Sequence, residues 1–156
     1  MVFVTLGTQD KEFVRLLEEV EKLIDKGVIK EHVIAQIGST YYSSDKMQLL
    51  DYISRNEMID YLKKADYVIT HGGVGTIIDS LNLGKKVIAV PRLKKYKEHV
   101  NDHQLEIVNE FSKLGYILDG SNLEQAIYKL DSFIPQKYQS NNENFVKLID
   151  DYILNN

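Results

Sequence analysis

Residues 71–76 read His71-Gly72-Gly73-Val74-Gly75-Thr76, directly after the apolar run Val68-Ile69-Thr70 and directly before Ile77-Ile78. A glycine-rich turn between a strand and a helix aims backbone N–H groups and the positive end of a helix dipole at one spot. That arrangement holds phosphate in many α/β proteins. A tight turn whose glycines supply positive φ is the plainer reading of the same residues. Two further polar segments follow apolar runs in the same way. Leu6-Gly7-Thr8-Gln9-Asp10 comes after "VFVT"; Gly7 lets a ligand approach the backbone, and Thr8 and Gln9 can hydrogen-bond it. Residues 91–104, "PRLKKYKEHVNDHQ", come after "KVIAV". If these strands are parallel, all three loops leave at one sheet edge, where doubly wound sheets bind ligands.

Other chemistries fit less well. "EHVNDH" sets His99 and His103 four residues apart, as on a zinc-binding helix face. It lacks the glutamate next to the first histidine inside the pair, and no third ligand stands nearby, so no metal is expected. His32, beside a strand start, reads as a surface or capping residue. Six basic residues between Lys85 and Lys97 form either a solvated loop or a contact for phosphate or an anionic partner. G-x-x-x-x-G-K-[ST] is absent, and "GVGTII" lacks the third glycine of a dinucleotide fingerprint and lies mid-chain. Neither a P-loop nor an NAD site is expected.

The elements that must carry these loops follow from periodicity. "VFVTL" reads as a buried strand. Residues 10–27 read as a helix with Phe13, Leu16, Leu17, Val20, Leu23 and Ile24 on one face, stopped by Gly27. "HVIAQIG" and "MQLLDYI" are strands, and a helix capped by Ser54 follows. "DYVIT" precedes the glycine turn, whose helix Gly84 closes. Then come the strand "KVIAVP", the helix "HQLEIVNEFSKLG", the strand "YILD", the capped helix "SNLEQAIYKLDSF" and, after a linker at 134–142, an amphipathic helix over 142–154. Short apolar strands alternating with helices predict an α/β fold: one Rossmann-like three-layer α/β/α sandwich over residues 1–156 with a mostly parallel sheet.

Composition agrees. The chain has 156 residues, 44% hydrophobic and 27% charged, with net charge −4, which argues against general nucleic-acid binding. No cysteine is present, so disulfides and thiolate metal sites are excluded and a cytoplasmic setting fits. The start, "MVFVTLG", reads as a first strand and not as a signal peptide. No window approaches the roughly 18 apolar residues of a membrane span.

"FVTLGT", "ADYVITHGGVGT" and "VPRLKKYKEHVNDHQ", in this order over nearly the whole chain, resemble the C-terminal domain of glycosyltransferase family 28. Within it the chain resembles the small capsule and exopolysaccharide subunits and the Alg13-type donor-binding subunit. The resemblance implies the donor-binding half of a GT-B glycosyltransferase split over two chains. The partner would be a membrane-associated, acceptor-binding, Alg14-like subunit, placing this chain at the inner face of the membrane. The donor would be a UDP-sugar, UDP-galactose ahead of UDP-N-acetylglucosamine or UDP-glucose, and the acceptor a polyprenyl-diphosphate-linked sugar. No cofactor is implied.

The resemblance also assigns residues. Gly7, Thr8 and Gln9 match the first donor-domain loop, near the diphosphate. Ile53 falls where the main chain reads the uracil edge. His71, Gly72, Gly73, Gly75 and Thr76 match the turn facing phosphates and sugar. Asp79 falls where relatives carry a glutamate to the ribose hydroxyls. Asn101, Asp102, His103 and Gln104 match the loop that holds the donor sugar. The implied reaction is an inverting displacement at the anomeric carbon with UDP leaving and the base on the partner. Residues 134–156, with Phe145, Leu148, Ile149, Tyr152 and Ile153 on one helical face, offer a surface for the partner or for the chain's own sheet. A nucleotide-sugar-binding module without turnover is the alternative, and a self-contained epimerase lacks a second half here.

Overall fold

A computed structural model of the chain describes residues 1–139 and, further on, Lys147 and Asp150. Apart from Lys147 and Asp150, the 142–154 helix lies outside the described residues, and so does all of its apolar face. The order is β1 (Val2–Thr5), α1 (Val14–Asp25), β2 (Val33–Gln36), β3 (Gln48–Leu50), α2 (Arg55–Lys64), β4 (Tyr67–His71), α3 (Val74–Asn82), β5 (Val87–Val90), a 3-10 turn (Lys94–Tyr96), α4 (His103–Lys113), β6 (Leu118–Asp119) and α5 (Leu123–Lys129). The strands form one parallel sheet in the order β3-β2-β1-β4-β5-β6. Strand order reverses between β1 and β4. The loops leaving these two strands part there and open a crevice at the carboxyl edge.

Successive strand residues point to opposite faces, and the core divides accordingly. Val2 and Val4 pack with Leu16, Leu17 and Val20 of α1 and Leu123 and Ala126 of α5. Phe3 packs on the other face with Leu62 of α2, Ile77 of α3 and Ile107, Val108 and Phe111 of α4. This is the expected three-layer sandwich. Each fully buried phenylalanine or leucine contributes roughly 1.5–3 kcal/mol. Gly27 and Gly84 close their helices in the left-handed region, at φ +72° and +71°. Ser54 caps α2 in a capping box: its hydroxyl accepts from the Glu57 N–H at 3.2 Å and its own N–H donates to the Glu57 carboxylate at 2.7 Å.

Three local expectations need correction. The first helix begins at Val14, four residues later than its periodicity predicts. Residues 10–13 are held as loop because their backbone is used elsewhere: the Lys11 carbonyl accepts from Arg92 and the Phe13 N–H donates to Thr40 Oγ1. The loop after β5 is solvated only in part: Lys94–Lys97 are exposed as expected, but Arg92, Glu98, His99 and Gln104 are buried. The linker at 134–142 begins by packing back on the domain. The Gln136 N–H donates to the Gly115 carbonyl at 2.9 Å, and the Tyr138 ring meets Tyr116 edge-on, centroids 5.8 Å apart. Among the described residues no helix is long and apolar enough to cross a membrane.

Candidate functional site

The crevice between the β1 and β4 loops is a cleft of about 440 Å³, within the range of small-molecule sites. At its floor lies the His71 ring, at the end of β4 and 8% exposed. Gly7 and Gly73 flank it. A Cβ on either glycine would sit within 3.0 Å of the imidazole, closer than side chains tolerate. Gly7 also requires its left-handed backbone, φ +78°. Gly73 does not: its backbone is extended, at φ −80° and ψ 127°. The turn reading based on positive φ therefore fails at residues 72, 73 and 75. Gly73 makes room for a ring, and Gly72 makes room for Gln104, whose Cβ would lie 2.8 Å from an added methyl. An added Cβ at Gly75 would meet nothing within 4 Å, so that position faces open space in the cleft.

Helix α3 starts at this floor. Gly73 stands at its N-cap with no side-chain cap, and its first turn holds no acidic residue. Its first N–H groups and its dipole are thus left to whatever enters the cleft. Val74, Gly75 and Thr76 line that side. Asp79, one turn further along α3, reaches the rim. Both of its oxygens accept from Arg55 of α2, Oδ2 from Nη1 at 2.8 Å and Oδ1 from Nη2 at 3.0 Å. Each carboxylate oxygen keeps a second lone pair. The pair holds the Arg55 pKa above its ordinary value through the Asp79 hydrogen bond. Arg55 is 71% exposed in its side chain, and so solvent screens most of that attraction.

Behind the floor the loops are clamped together. Arg92, 1% exposed, donates to the carbonyls of Leu6 at 2.7 Å, Lys11 at 2.8 Å and Glu98 at 3.2 Å, and its guanidinium stacks 4.9 Å from the Phe13 ring centre. Burial lowers its pKa to about 10, which still leaves it charged near neutrality. Glu98 accepts from Arg15 through both oxygens, at 2.8 and 3.1 Å, and from the Leu93 N–H at 3.1 Å. His99 accepts at Nδ1 from the Asn101 N–H and meets the Gln9 amide nitrogen at 3.2 Å through Nε2. Burial, then the nearby Arg92 charge, lower its pKa. His71 is pressed down to about 3, first by burial and then by Arg92.

Of the residues singled out from the sequence, Gly7, Thr8, Gln9, Ile53, His71, Gly73, Gly75, Thr76, Asp79 and Gln104 line this one cleft. Gly72 lies just beneath it, its N–H donating to Gln104 Oε1 at 3.0 Å. Asn101, Asp102 and His103 are not among its lining residues. Asn101 Oδ1 accepts from the His103 N–H, Asp102 Oδ1 accepts from the Lys94 N–H, and His103 Nδ1 meets Glu106. His99 and His103 therefore turn to different partners. Ser54, Arg55, Met58 and Val74 also line the cleft, and the sequence reading does not place them in the site. The capping box in "SRNE" was the available signal, since it puts Arg55 at the first turn of a helix that starts right after Ile53.

Residues 1–153 match the family model described as "Glycosyltransferase family 28 C-terminal domain". The chain is 31% identical over 97 residues to the UDP-N-acetylglucosamine transferase subunit ALG13 of Candida albicans, a match covering 61% of this chain and 32% of that protein. Against the human protein of the same name it is 29% identical over 125 residues, covering 74% of this chain and 10% of the other. The chain thus spans about a third or less of these relatives. An NMR solution structure of ALG13 superposes with TM-score 0.58 at 22% identity, covering 94% of this chain and 93% of that one. At that identity the likeness bears on the fold.

Proposed function

The chain belongs to the glycosyltransferase family 28 C-terminal domain family, and from that premise we propose that it is the UDP-sugar-binding subunit of a two-chain inverting glycosyltransferase. One observation carries the reading. The uncapped start of α3, the His71 ring and the Asp79 carboxylate open into one cleft, with anion-binding groups at its floor and a hydrogen-bond acceptor for hydroxyls at its rim. A nucleoside diphosphate has both halves of that pattern. Gly7, Thr8, Gln9, His71, Gly73, Gly75 and Thr76 take the diphosphate. Asp79, held by Arg55, takes the ribose hydroxyls, and Ile53 with Met58 takes the base.

The donor sugar is N-acetylglucosamine in this reading. The relatives are named UDP-N-acetylglucosamine transferase subunits, and none of their names supports galactose or a role in capsule or exopolysaccharide synthesis. The acceptor hydroxyl attacks the anomeric carbon as the bond to the diphosphate breaks. Charge gathers on the departing UDP, where helix N–H groups and the His71 N–H stabilise it. The base comes from the partner: Asp79 is engaged by Arg55, and His71, pressed to a pKa of about 3, is a poor proton acceptor. The partner is a membrane-associated, Alg14-like subunit that binds a polyprenyl-diphosphate-linked sugar and holds this chain peripherally at the membrane.

Titration calorimetry of the purified chain with UDP, UDP-N-acetylglucosamine and UDP-galactose, followed by a transfer assay with the co-expressed partner, tests this. Binding of UDP and of UDP-N-acetylglucosamine by the chain alone, with transfer only by the pair, is expected. Absence of UDP binding overturns the site, and binding without transfer by the assembled pair favours a nucleotide-sugar-binding module.

A further inference from the structure

Gln104 sits at the edge of the cleft, yet its amide is spent inside the protein. The residue is 1% exposed. Its Oε1 accepts from two backbone donors, the Gly72 N–H at 3.0 Å and the Arg92 N–H at 3.0 Å. Backbone N–H groups can only donate, so the oxygen of the amide is fixed at that end. The NH₂ end is thereby turned to His71, whose Nδ1 lies 3.2 Å away. An amide nitrogen offers only protons, so Nδ1 must offer a lone pair. A neutral imidazole with a bare Nδ1 carries its proton on Nε2.

The other edge of the ring faces the cleft. Nε2 passes between Gly7 and Gly73, and among the described residues no hydrogen bond takes it up. The charged and titratable groups acting on the ring are Arg92 and His99, both of which disfavour a second proton. The ring therefore stays neutral through the physiological range.

We infer that Gln104 is a positioning residue that locks His71 in its neutral Nε2–H form, so that the cleft receives one uncharged hydrogen-bond donor where a diphosphate would lie. This rests on the UDP-sugar reading of the cleft. The opposite tautomer would aim a lone pair at a phosphate oxygen, and the two would repel. The lock also explains a cost the fold accepts: a buried glutamine on the face of α4 that otherwise carries Ile107, Val108 and Phe111. A donor fixed in this way strengthens as the leaving oxygens gain charge and needs no reorganisation at that moment.

The test has two arms. The first needs no nucleotide: long-range ¹H–¹⁵N correlation of the imidazole nitrogens in the wild-type protein, with the His71→Gln variant used to assign the signal. A protonated Nε2 and a bare Nδ1, unchanged from about pH 5.5 to 8, are expected. A protonated Nδ1, or an imidazolium within that range, overturns the lock. The second arm uses Gln104→Glu, which keeps an acceptor for Gly72 and Arg92 but turns its other oxygen to Nδ1. That oxygen can only accept, so Nδ1 must take the proton. Wild-type affinity for UDP-N-acetylglucosamine, whose diphosphate has no terminal phosphate to titrate in this range, should change less than about twofold between pH 5.5 and 8, whereas the variant should lose at least about tenfold at pH 8 and recover toward pH 5.5 as the ring becomes doubly protonated. A variant with wild-type affinity and a flat profile overturns the inference. Should the variant not fold, the wild-type spectrum decides. Should the wild type bind no UDP, the donor-site reading falls while the spectrum still judges the lock.

Discussion

Arg92 lies behind the floor of the cleft and Arg55 at its rim, and they share nothing but their charge. Arg92 is 1% exposed and gives its protons to three main-chain carbonyls. Arg55 is 71% exposed in its side chain and gives its protons to one carboxylate. The first joins the β1 loop to the β5 loop behind the floor. The second crosses from α2 to α3 at the rim. A buried cation cannot leave without stranding its acceptors, whereas an exposed pair exchanges partners at little cost. The floor is therefore built as part of the core, and the rim is free to rearrange around a ligand.

Breaking the floor should cost most. Arg92→Met keeps much of the stem but removes every side-chain donor, and should lower the unfolding free energy by about 3 kcal/mol, read by urea denaturation. Stability within error of wild type would mean the clamp is ornamental and the contrast false. Gly73→Ala should come next. Its methyl would lie within 3.0 Å of the His71 ring, and an overpacked site of this kind costs roughly 2 kcal/mol. UDP affinity, by calorimetry, should fall with it; unchanged affinity would show a ring that moves freely.

Acidification probes the same floor without a substitution. His71 has a folded pKa of about 3, below its unfolded value of about 6.5. The unfolded chain therefore binds the extra proton, and the stability that the neutral ring contributes is lost as pH falls below 6.5. Between about pH 7.5 and 5.5 that loss is about 1.4 kcal/mol, and it should be missing from His71→Gln, so that it appears as the difference in pH slope between the two proteins. An equal pH slope in both proteins would remove His71 from the account. The rim should respond least. Asp79→Ala should weaken UDP binding by roughly 1 kcal/mol, the lower end for a hydroxyl left without its acceptor, while Arg55→Ala should alter unfolding by less than about 1 kcal/mol. A larger stability loss for Arg55→Ala than for Arg92→Met would invert the comparison.

The fold was legible because burial leaves a period. Val2–Thr5, Val33–Gln36, Tyr67–His71 and Val87–Val90 are buried along their length, and unbroken apolar runs between helices have few other readings. The cleft was legible where chemistry and backbone coincide, as at His71 and Gly73. The rest was hidden by a general expectation. Charged residues are mostly exposed, so the run from Arg92 to Asp102 reads as a polar loop, and nothing local shows that Leu6 and Lys11 present carbonyls to Arg92. Gln104 did leave a trace: it falls three, four and seven residues before Ile107, Val108 and Phe111, on their helical face. A polar residue in that stripe must be buried with partners.

The ring between two glycines has a further consequence for how this site can change through descent. Positions 7, 71 and 73 form a coupled triple, because a side chain at either flank and an imidazole at the centre claim the same volume. Mutational paths through it have a direction. A step that shrinks residue 71 first opens space, after which alanine at residue 73 becomes tolerable; the reverse order passes through a clash. The left-handed backbone at Gly7, φ +78°, keeps that flank closed to most residues even when the ring is gone. Lineages that lost the imidazole should therefore drift at residue 73 while retaining glycine at residue 7.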